Sequence, residues 1–123
     1  VYDAFYPDGW EVRQIADIRA FLTNEGESVW VAQAGDDLLG FVGLRLHPED
    51  SMGEIYLLAV DPVHQRCGVA SALMGFAMVR FRNAGMKIAM VETGGDPGHA
   101  AARQAYERFG FGRWPVARYF TQV

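Results

Sequence analysis

One turn in the middle of the chain has the residue types of an anion-binding site: Gln65-Arg66-Cys67-Gly68-Val69-Ala70. It lies between the predicted end of a buried strand and the predicted start of a helix. The N–H groups at a helix N-terminus, with the helix dipole behind them, bind phosphate. Gly68 lets a ligand approach the backbone, and Ala70 adds little side-chain bulk. The turn therefore predicts a phosphate site, and the equal alternative is a turn that needs glycine for its geometry alone.

The turn differs from two common nucleotide-binding motifs. It lacks the Gly-Lys-Ser/Thr sequence with which a P-loop holds phosphates and magnesium. It also lacks the three spaced glycines of a dinucleotide fingerprint. The sequence therefore predicts neither an NTPase site nor a dinucleotide site at this turn.

Length, charge and hydropathy limit the domain number and the kinds of partner that we expect. The chain has 123 residues, which is room for one domain, so we expect a single domain over residues 1–123. Its net charge is -4, from 11 Lys and Arg against 15 Asp and Glu, and no segment offers the basic face that nucleic acid requires. No apolar run approaches the ~18 residues that span a bilayer. We therefore expect neither a nucleic acid nor a membrane partner.

Cysteine and histidine usage argues against a metal site. Cys67 is the single cysteine, so neither an internal disulfide nor a cysteine pair for zinc can form. His47 and His64 lack the partner spacing of metal ligands, and both are expected on the surface. The cysteine count fits a reducing compartment, so a cytoplasmic protein without a metal is predicted.

Hydrophobic periodicity predicts the elements that position the turn. The predicted helices cover residues 12–22, 69–82 and 99–109, with Gly85 and Gly110 as helix ends. The predicted strands cover residues 29–32, 38–46, 55–60, 88–91 and 114–122. The continuous apolar run of residues 55–60 is typical of a strand buried on both faces. Because strand, helix and strand follow one another over residues 55–91, they predict a right-handed parallel βαβ unit. The expected fold class is a mixed α/β (α+β) domain around one central sheet.

Two motifs together resemble one family, over roughly residues 28–120. Val60-Asp61-Pro62 followed by Gln65-x-x-Gly68-x-Ala70 is similar to the Gln/Arg-x-x-Gly-x-Gly/Ala motif of the GCN5-related N-acetyltransferases, the GNAT superfamily. The stretch His99-x-x-Ala102-x-x-x-Tyr106-Glu107-x-x-Gly110-Phe111 resembles a second family element, in which asparagine stands where this chain has His99. The two motifs occur in the family's order, one on each side of the second buried strand.

The resemblance implies a GNAT-type acyl-CoA N-acyltransferase fold, with a central mixed sheet flanked by helices. Nothing before Trp10 resembles a full-length strand, so the family's first strand is expected to be missing from this chain. The implied activity is direct transfer of the acetyl group of acetyl-CoA to a primary amine of a small molecule or peptide. A homodimer is also compatible with the resemblance, because C-terminal strands of this family often join two chains.

The resemblance assigns the cofactor contacts residue by residue. The pyrophosphate of acetyl-CoA is expected at the turn, on Gln65 and the backbone N–H groups of Arg66, Cys67, Gly68, Val69 and Ala70. Val60 would contact pantetheine, and the Leu58 N–H would face the thioester oxygen. His99 would cap its helix or donate a hydrogen bond to pantetheine.

The same resemblance suggests an acid and a base. Tyr106 would be the general acid that protonates the leaving thiolate, and it could also contact the cofactor; its alternative is a tyrosine packed on the core. Glu54 would take a proton from the amine, often through water, and its alternative is an edge carboxylate that faces water. Glu92, after the second buried strand, is a reserve base.

Two other functions remain open at this point. The first is a non-catalytic acyl-CoA-binding or regulatory module that keeps the turn but performs no chemistry. The second is a transferase for longer acyl groups, which the depth of the pocket would decide. The presence of both Tyr106 and Glu54 argues against the first.

Overall fold

The computed structural model describes residues 28–65 and 68–123. Of the described residues, those from Ser28 to Phe111 belong to one compact unit and Gly112–Val123 to another, and each is described by itself. The predicted helix over residues 12–22 and the prediction of a missing first strand lie outside the described residues. No helix in the described part of the chain is long and apolar enough to cross a membrane.

The first of these units is built on a four-stranded mixed sheet with strand order β1-β2-β3-β4. The strands are β1 (Val29–Ala34), β2 (Asp37–His47), β3 (Met52–Val60) and β4 (Ile88–Val91). The β1–β2 and β2–β3 pairs are antiparallel, and the β3–β4 pair is parallel. The predicted mixed sheet and the parallel βαβ unit are therefore confirmed.

Two α-helices follow β3 and β4. They are α1 (Val69–Asn83) and α2 (Ala100–Phe109), and short 3₁₀ helices cover Pro48–Asp50, Pro62–His64 and Pro97–His99. Gly85 (φ +82°) and Gly110 (φ +124°) follow the helix ends in backbone conformations that favour glycine. The predicted helix ends are confirmed.

The core lies between α1 and one face of the sheet. Val42 and Leu44 alternate along β2, and Ile55 of β3 is the partner of Leu44 in the register, so all three face the helix. The helix contributes a buried stripe at i, i+4 spacing, formed by Val69, Leu73, Ala77 and Phe81. Met74, next to Leu73, is buried as well. This packing fixes α1 on the sheet.

Two glycines let helix and sheet approach closely. A Cβ on Gly53 would overlap the ring of Phe81, and a Cβ on Gly40 would meet the carbonyl oxygen of Ala59 and the side chain of Leu73. Gly53 therefore lies on the face of β3 that packs against α1, and Ile55, two residues later, lies on the same face.

Two expectations about strands are wrong. Residues 111–123 contain no regular secondary structure, although a strand over residues 114–122 was expected. Pro115 has no N–H to donate to a ladder, and an apolar alternating pattern becomes a strand only beside a partner edge. Also, β3 is not buried on both faces, since Tyr56 and Ala59 are exposed.

The close approach at Gly53 predicts a large effect of one methyl group. Gly53→Ala should lower the free energy of unfolding by about 1–3 kcal/mol, because the buried Phe81 ring must move to admit the Cβ. Denaturant unfolding measures the loss. The control is Gly75→Ala inside α1, where a Cβ meets nothing within 4 Å. That change should stabilise the protein by up to about 1 kcal/mol. Equal stability of the two variants would contradict the packing described here.

Candidate active site

The register of β2 and β3 decides which way the backbone of β3 points. The Asp61 N–H donates to the Leu39 carbonyl over 2.8 Å, and Val60 lies opposite Gly40 in the register. In an antiparallel pair, alternate residues direct both backbone groups at the partner strand. Asp61 and Ala59 therefore face β2, whereas Val60 and Leu58 direct their N–H and C=O groups to the β4 side.

On that side the parallel pairing ends early. It joins Met52–Ile55 to Ile88–Val91, and β3 continues for Tyr56–Val60 beyond it. Within residues 28–65 and 68–123, no strand pairs with this edge of β3 past Ile55. We call the space beside residues 56–60 the β3–β4 opening. The backbone groups of Leu58 and Val60 line it.

A β-bulge lies where the opening begins. The register passes from Gly43–Leu57 directly to Leu44–Ile55, so Tyr56 is an extra residue in β3. Bulges bend and twist a strand and are frequent beside active sites. The bulge at Tyr56 therefore accompanies the divergence of β3 from β4.

The turn after β3 leads into α1 without a capping side chain. The Asp61 carboxylate accepts the Val63 N–H over 2.9 Å and so starts the 3₁₀ helix. Gly68 is the N-cap residue of α1, with φ +82°, and no side chain caps this end. A Cβ at Gly68 would meet nothing within 4 Å. The geometry suits an anion at the N–H groups of the first turn.

The other residues of the predicted phosphate site fall into three groups. Val69 is buried and Ala70 packs against the core, so their side chains support the helix and only their backbone is available to a ligand. Gln65 ends the 3₁₀ turn in an extended conformation. Arg66 and Cys67 lie outside the described residues.

Tyr106 projects from α2 onto the core. Its ring packs edge-to-face on Phe111, with the centroids 6.2 Å apart, and it contacts the buried cluster under α1. The Tyr106 carbonyl accepts hydrogen bonds from the N–H groups of Gly110 (3.2 Å) and Phe111 (3.0 Å). These bonds hold Phe111 beside the tyrosine. Burial raises the pKa of the Tyr106 phenol. The phenol therefore carries its proton at neutral pH and can donate it.

Glu54 projects from the opposite face of the sheet. It lies between Gly53 and Ile55, which both face α1, so its carboxylate is on the other side. The side chain is only 18% exposed, and its Oε1 lies 2.8 Å from Nε2 of His47. Glu54 is therefore not a water-facing edge carboxylate. It precedes Ile55, the last β3 residue that pairs with β4, and so lies at the base of the opening.

Sequence reasoning missed the contact of His47. The residue was expected on the surface, without the partner spacing of a metal ligand, but it is half-buried and its Nε2 lies 2.8 Å from Oε1 of Glu54. Spacing along the chain does not reveal this contact, because the β2–β3 register brings the two side chains together. A hairpin register would have shown it.

Arg45 is a further neighbour on this face. It lies directly opposite Glu54 in the register, and its guanidinium stacks 3.6 Å from the ring centroid of Tyr56. Such stacking favours a cation over an aromatic face. The face opposite α1 thus carries a polar cluster beside the opening, formed by Arg45, His47, Glu54 and Tyr56.

His99 is bound to its own loop. Its Nδ1 lies 2.7 Å from Oδ1 of Asp96. Because a carboxylate only accepts, Nδ1 carries the hydrogen of this bond. Desolvation acts to raise the pKa of Asp96, but the hydrogen bond and the charge of His99, with backbone donors, hold it below its ordinary value. The expected capping of α2 by His99 is wrong, since its side chain makes no cap hydrogen bond.

Arg103 and Gly94 complete this loop. Arg103 donates to the carbonyls of Gly94 (2.7 Å) and Asp96 (2.6 Å). A Cβ on Gly94 would overlap the Asp96 carboxylate and the His99 ring. The loop between β4 and α2 is therefore held by its own side chains. Glu92, the reserve base, directly follows β4 and is exposed.

These parts meet at one edge of the sheet. Carboxyl ends of parallel strands lie at the same edge, so the turn into α1 and the loop into α2 are neighbours there. Tyr106 approaches from the α1 side and Glu54 from the other face. The arrangement can hold an elongated ligand with an anionic end, with an acid and a base on opposite faces of the sheet. Among the residues that the structure describes, no cluster of His, Cys, Asp or Glu could hold a metal ion.

Comparison with known proteins agrees with this geometry. The model of the acetyltransferase (GNAT) family matches residues 1–111. A mycothiol acetyltransferase from Rhodococcus opacus is 30% identical over 120 residues, which are 90% of this chain and 39% of the relative. The chain thus spans about two fifths of the length of that curated relative.

Solved structures share the fold. A GNAT-family protein from Desulfovibrio desulfuricans superposes with a TM-score of 0.72 and 27% identity, over 91% of this chain and 72% of that one. A Bacillus anthracis protein assigned as a streptothricin acetyltransferase, solved with acetyl coenzyme A, has a TM-score of 0.61 and 24% identity, over 67% of this chain and 45% of that one.

The Asp96–His99 pair predicts a response to acid. Because the folded-state pKa of Asp96 is lowered from 3.8, the ionised carboxylate stabilises the fold above about pH 4, and this contribution is lost as the pH falls through the folded-state pKa. The melting temperature of wild type should therefore exceed that of Asp96→Asn near pH 6, and the difference should shrink toward about pH 2. Asp36→Asn, in the exposed β1–β2 turn, is the control. A difference that stays constant with pH would refute the stabilising pair.

Proposed function

Because the chain belongs to the GNAT family of acetyltransferases, we propose that it transfers the acetyl group of acetyl-CoA directly to a primary amine of a small molecule or peptide. The observation that carries the proposal is the β3–β4 opening, whose β3 edge pairs with no strand of the described residues and lies before the N-terminus of α1, which no side chain caps. One surface thus offers backbone hydrogen bonds for an amide-containing chain and, at its end, a site for phosphate.

The cofactor follows this surface. The pyrophosphate lies at the turn from Gln65 to Ala70, on backbone N–H groups that include those of Arg66 and Cys67. Pantetheine runs along the opening and pairs with Val60, and His99 lies beside it at the start of α2. The Leu58 N–H faces the thioester oxygen and stabilises the oxyanion. Removing one donor of this kind typically costs about 10²–10³ in rate.

The reaction then needs three proton transfers. The acceptor ammonium gives one proton to Glu54, directly or through water, and the neutral amine attacks the thioester carbonyl to form a tetrahedral intermediate with an oxyanion and a protonated nitrogen. As this intermediate collapses, the C–S bond breaks, Tyr106 gives its proton to the leaving sulfur, and the second nitrogen proton passes to the Tyr106 phenolate through water. The leaving thiolate, whose parent thiol has a pKa of about 8.5, is stabilised by the proton or hydrogen bond of a positioned phenol. The products are the acetylated amine and free CoA, and no metal takes part.

The position of acid and base supports direct transfer. Tyr106 packs on the α1 side of the sheet, whereas Glu54 lies on the other face. The thiol therefore leaves on one side of the opening while the amine enters from the other. We place the amine beside the polar cluster of His47, Glu54, Arg45 and Tyr56.

The acceptor and setting are part of the proposal. The curated relatives named mycothiol acetyltransferases support a small-molecule acceptor, and the net charge of -4 is compatible with a cationic amine. Residues 47–53 and 94–98 border the site and would shape the acceptor pocket. We further propose one domain over residues 1–123, a cytoplasmic location, and either a monomer or a homodimer.

Turnover with a panel of amines tests the function. Acetyl-CoA should release free thiol in proportion to the added amine, and mass spectrometry should show acetylation of that amine. Acyl-CoA substrates of increasing chain length test the range of acyl groups. Tight binding of acetyl-CoA with no thiol release on any amine would instead identify a non-catalytic acyl-CoA-binding module.

Tyr106 provides a test of the acid. Tyr106→Phe keeps the ring against Phe111 but removes the proton, so kcat should fall by about 10²–10⁴ with little change in acetyl-CoA affinity. Steady-state kinetics and calorimetric binding measure the two effects. Tyr119→Phe, in the C-terminal segment, is the matched control and should retain wild-type kcat. An unchanged kcat in Tyr106→Phe would remove this residue from the mechanism.

A further inference from the structure

We propose that His47 is a positioning residue of the acetyl-transfer site, which holds one oxygen of Glu54 so that the other takes the proton of the acceptor amine. The inference rests on the proposed function, because it assigns a partner to the proposed base. It stands on the geometry of the β2–β3 hairpin.

The hairpin register brings the two side chains to the same face. Arg45 lies opposite Glu54, and His47 lies opposite Met52, so His47 and Glu54 are diagonal neighbours across the two strands. The Nε2–Oε1 distance is 2.8 Å. The His47 side chain is 32% exposed and that of Glu54 is 18% exposed. Both side chains are partly shielded from water, and this contact restrains the Glu54 carboxylate.

The proton in this contact is located by simple chemistry. An ionised carboxylate has no hydrogen to donate, so Nε2 of His47 carries it and donates to Oε1 of Glu54. Oε2 is then the oxygen that can accept the amine proton. Glu49 Oε1 is 4.0 Å from the other ring nitrogen, Nδ1, and the Glu49 side chain is 71% exposed. That distance exceeds a hydrogen bond, so the ring is oriented by Glu54 and not by Glu49.

The backbone that carries His47 is anchored to the neighbouring strand. His47 ends β2 and leads into the 3₁₀ helix Pro48–Asp50. Ser51 follows with φ +50°, and its carbonyl accepts the N–H groups of Lys87 (2.7 Å) and Ile88 (3.2 Å) at the start of β4. The connection between β2 and β3 is therefore tied to β4. A ring placed on such a restrained segment orients its partner with less loss of entropy.

The contact lies where the chemistry needs a fixed base. Glu54 comes just before the end of the parallel pairing and the bulge at Tyr56. In the proposed reaction, an N–H bond of the acceptor ammonium breaks and its proton forms the O–H bond at Oε2. The amine electron pair then attacks the thioester carbonyl. The hydrogen on Nε2 of His47 stays bonded to that nitrogen and donates to Oε1 throughout, so His47 neither gains nor loses a proton.

Variants of the two residues separate positioning from other roles. His47→Ala should lower kcat/KM for the amine by about 10- to 100-fold, the range of one hydrogen bond to a charged group. The Kd for acetyl-CoA should be unchanged. His47→Gln, which keeps a side-chain N–H donor, should recover most of the activity, whereas His47→Met, of similar size without a donor, should not. Glu49→Gln is the control and should match wild type.

A double-mutant cycle gives the decisive result. If His47 acts only through Glu54, then His47→Ala adds nothing to Glu54→Gln, and the double variant equals Glu54→Gln alone. Effects that multiply would overturn the proposal, as would full activity of His47→Ala or of His47→Met. Failure of His47→Gln to restore activity, with melting temperatures that fall in parallel, would show a purely structural residue.

The outcomes also separate this inference from the proposed function. Wild-type turnover combined with unaffected His47 variants would overturn only the positioning role. Absence of turnover in wild type on every amine, with acetyl-CoA still bound, would overturn both. If His47→Ala does not fold, the comparison of His47→Met with His47→Gln carries the same test.

Discussion

The early end of the parallel pairing between β3 and β4 is the constraint on which the site depends. A strand inside a sheet normally satisfies the backbone groups on both of its edges, and buried polar groups without partners are costly. Here β2 continues to pair with β3 as far as Gly40 and Val60, whereas β4 ends at Val91. The antiparallel register then determines that Leu58 and Val60, and not their neighbours, present hydrogen-bonding groups to the opening. A ligand with amide groups can replace the missing strand.

Packing and loop anchoring keep the opening in place. Gly53 and Gly40 allow α1 to lie close to β3, so the helix that offers its N-terminus to an anion is held against the strand that lines the opening. On the other side, Ser51 ties the β2–β3 connection to the start of β4. Gly53 and the Ser51 contact lie where β3 and β4 pair, whereas Gly40 lies opposite Val60 beside the opening. The two strands are thus fixed up to Ile55 and Val91, where their pairing ends.

Local pattern was sufficient to predict most elements of the first unit and its parallel βαβ unit. Period-two and apolar runs located all four strands, and glycine marked the ends of both helices, because these signals arise from residues adjacent in sequence. The motif turn and Tyr106 could likewise be found, since each belongs to one contiguous segment. The contact of His47 with Glu54 could not, because it depends on a register that no local pattern fixes. The pair of Asp96 and His99 depends in the same way on the folded shape of a glycine loop. The strand expected over residues 114–122 is wrong: its apolar residues form no regular secondary structure, and Pro115 has no N–H to donate to a ladder.

The separation of acid and base follows from side-chain alternation across the sheet. Gly53 and Ile55 face α1, so the residue between them cannot, and Glu54 must lie on the opposite face. Tyr106 contacts the core under α1 and therefore lies on the helix side. At the opening, no strand of the described residues lies between the two faces. In the proposed reaction the thioester carbon lies within the opening, with the sulfur directed to Tyr106 and the attacking amine directed to Glu54. The termination of β4 thus exposes the backbone groups proposed to bind the cofactor and opens one space to the faces that carry Tyr106 and Glu54.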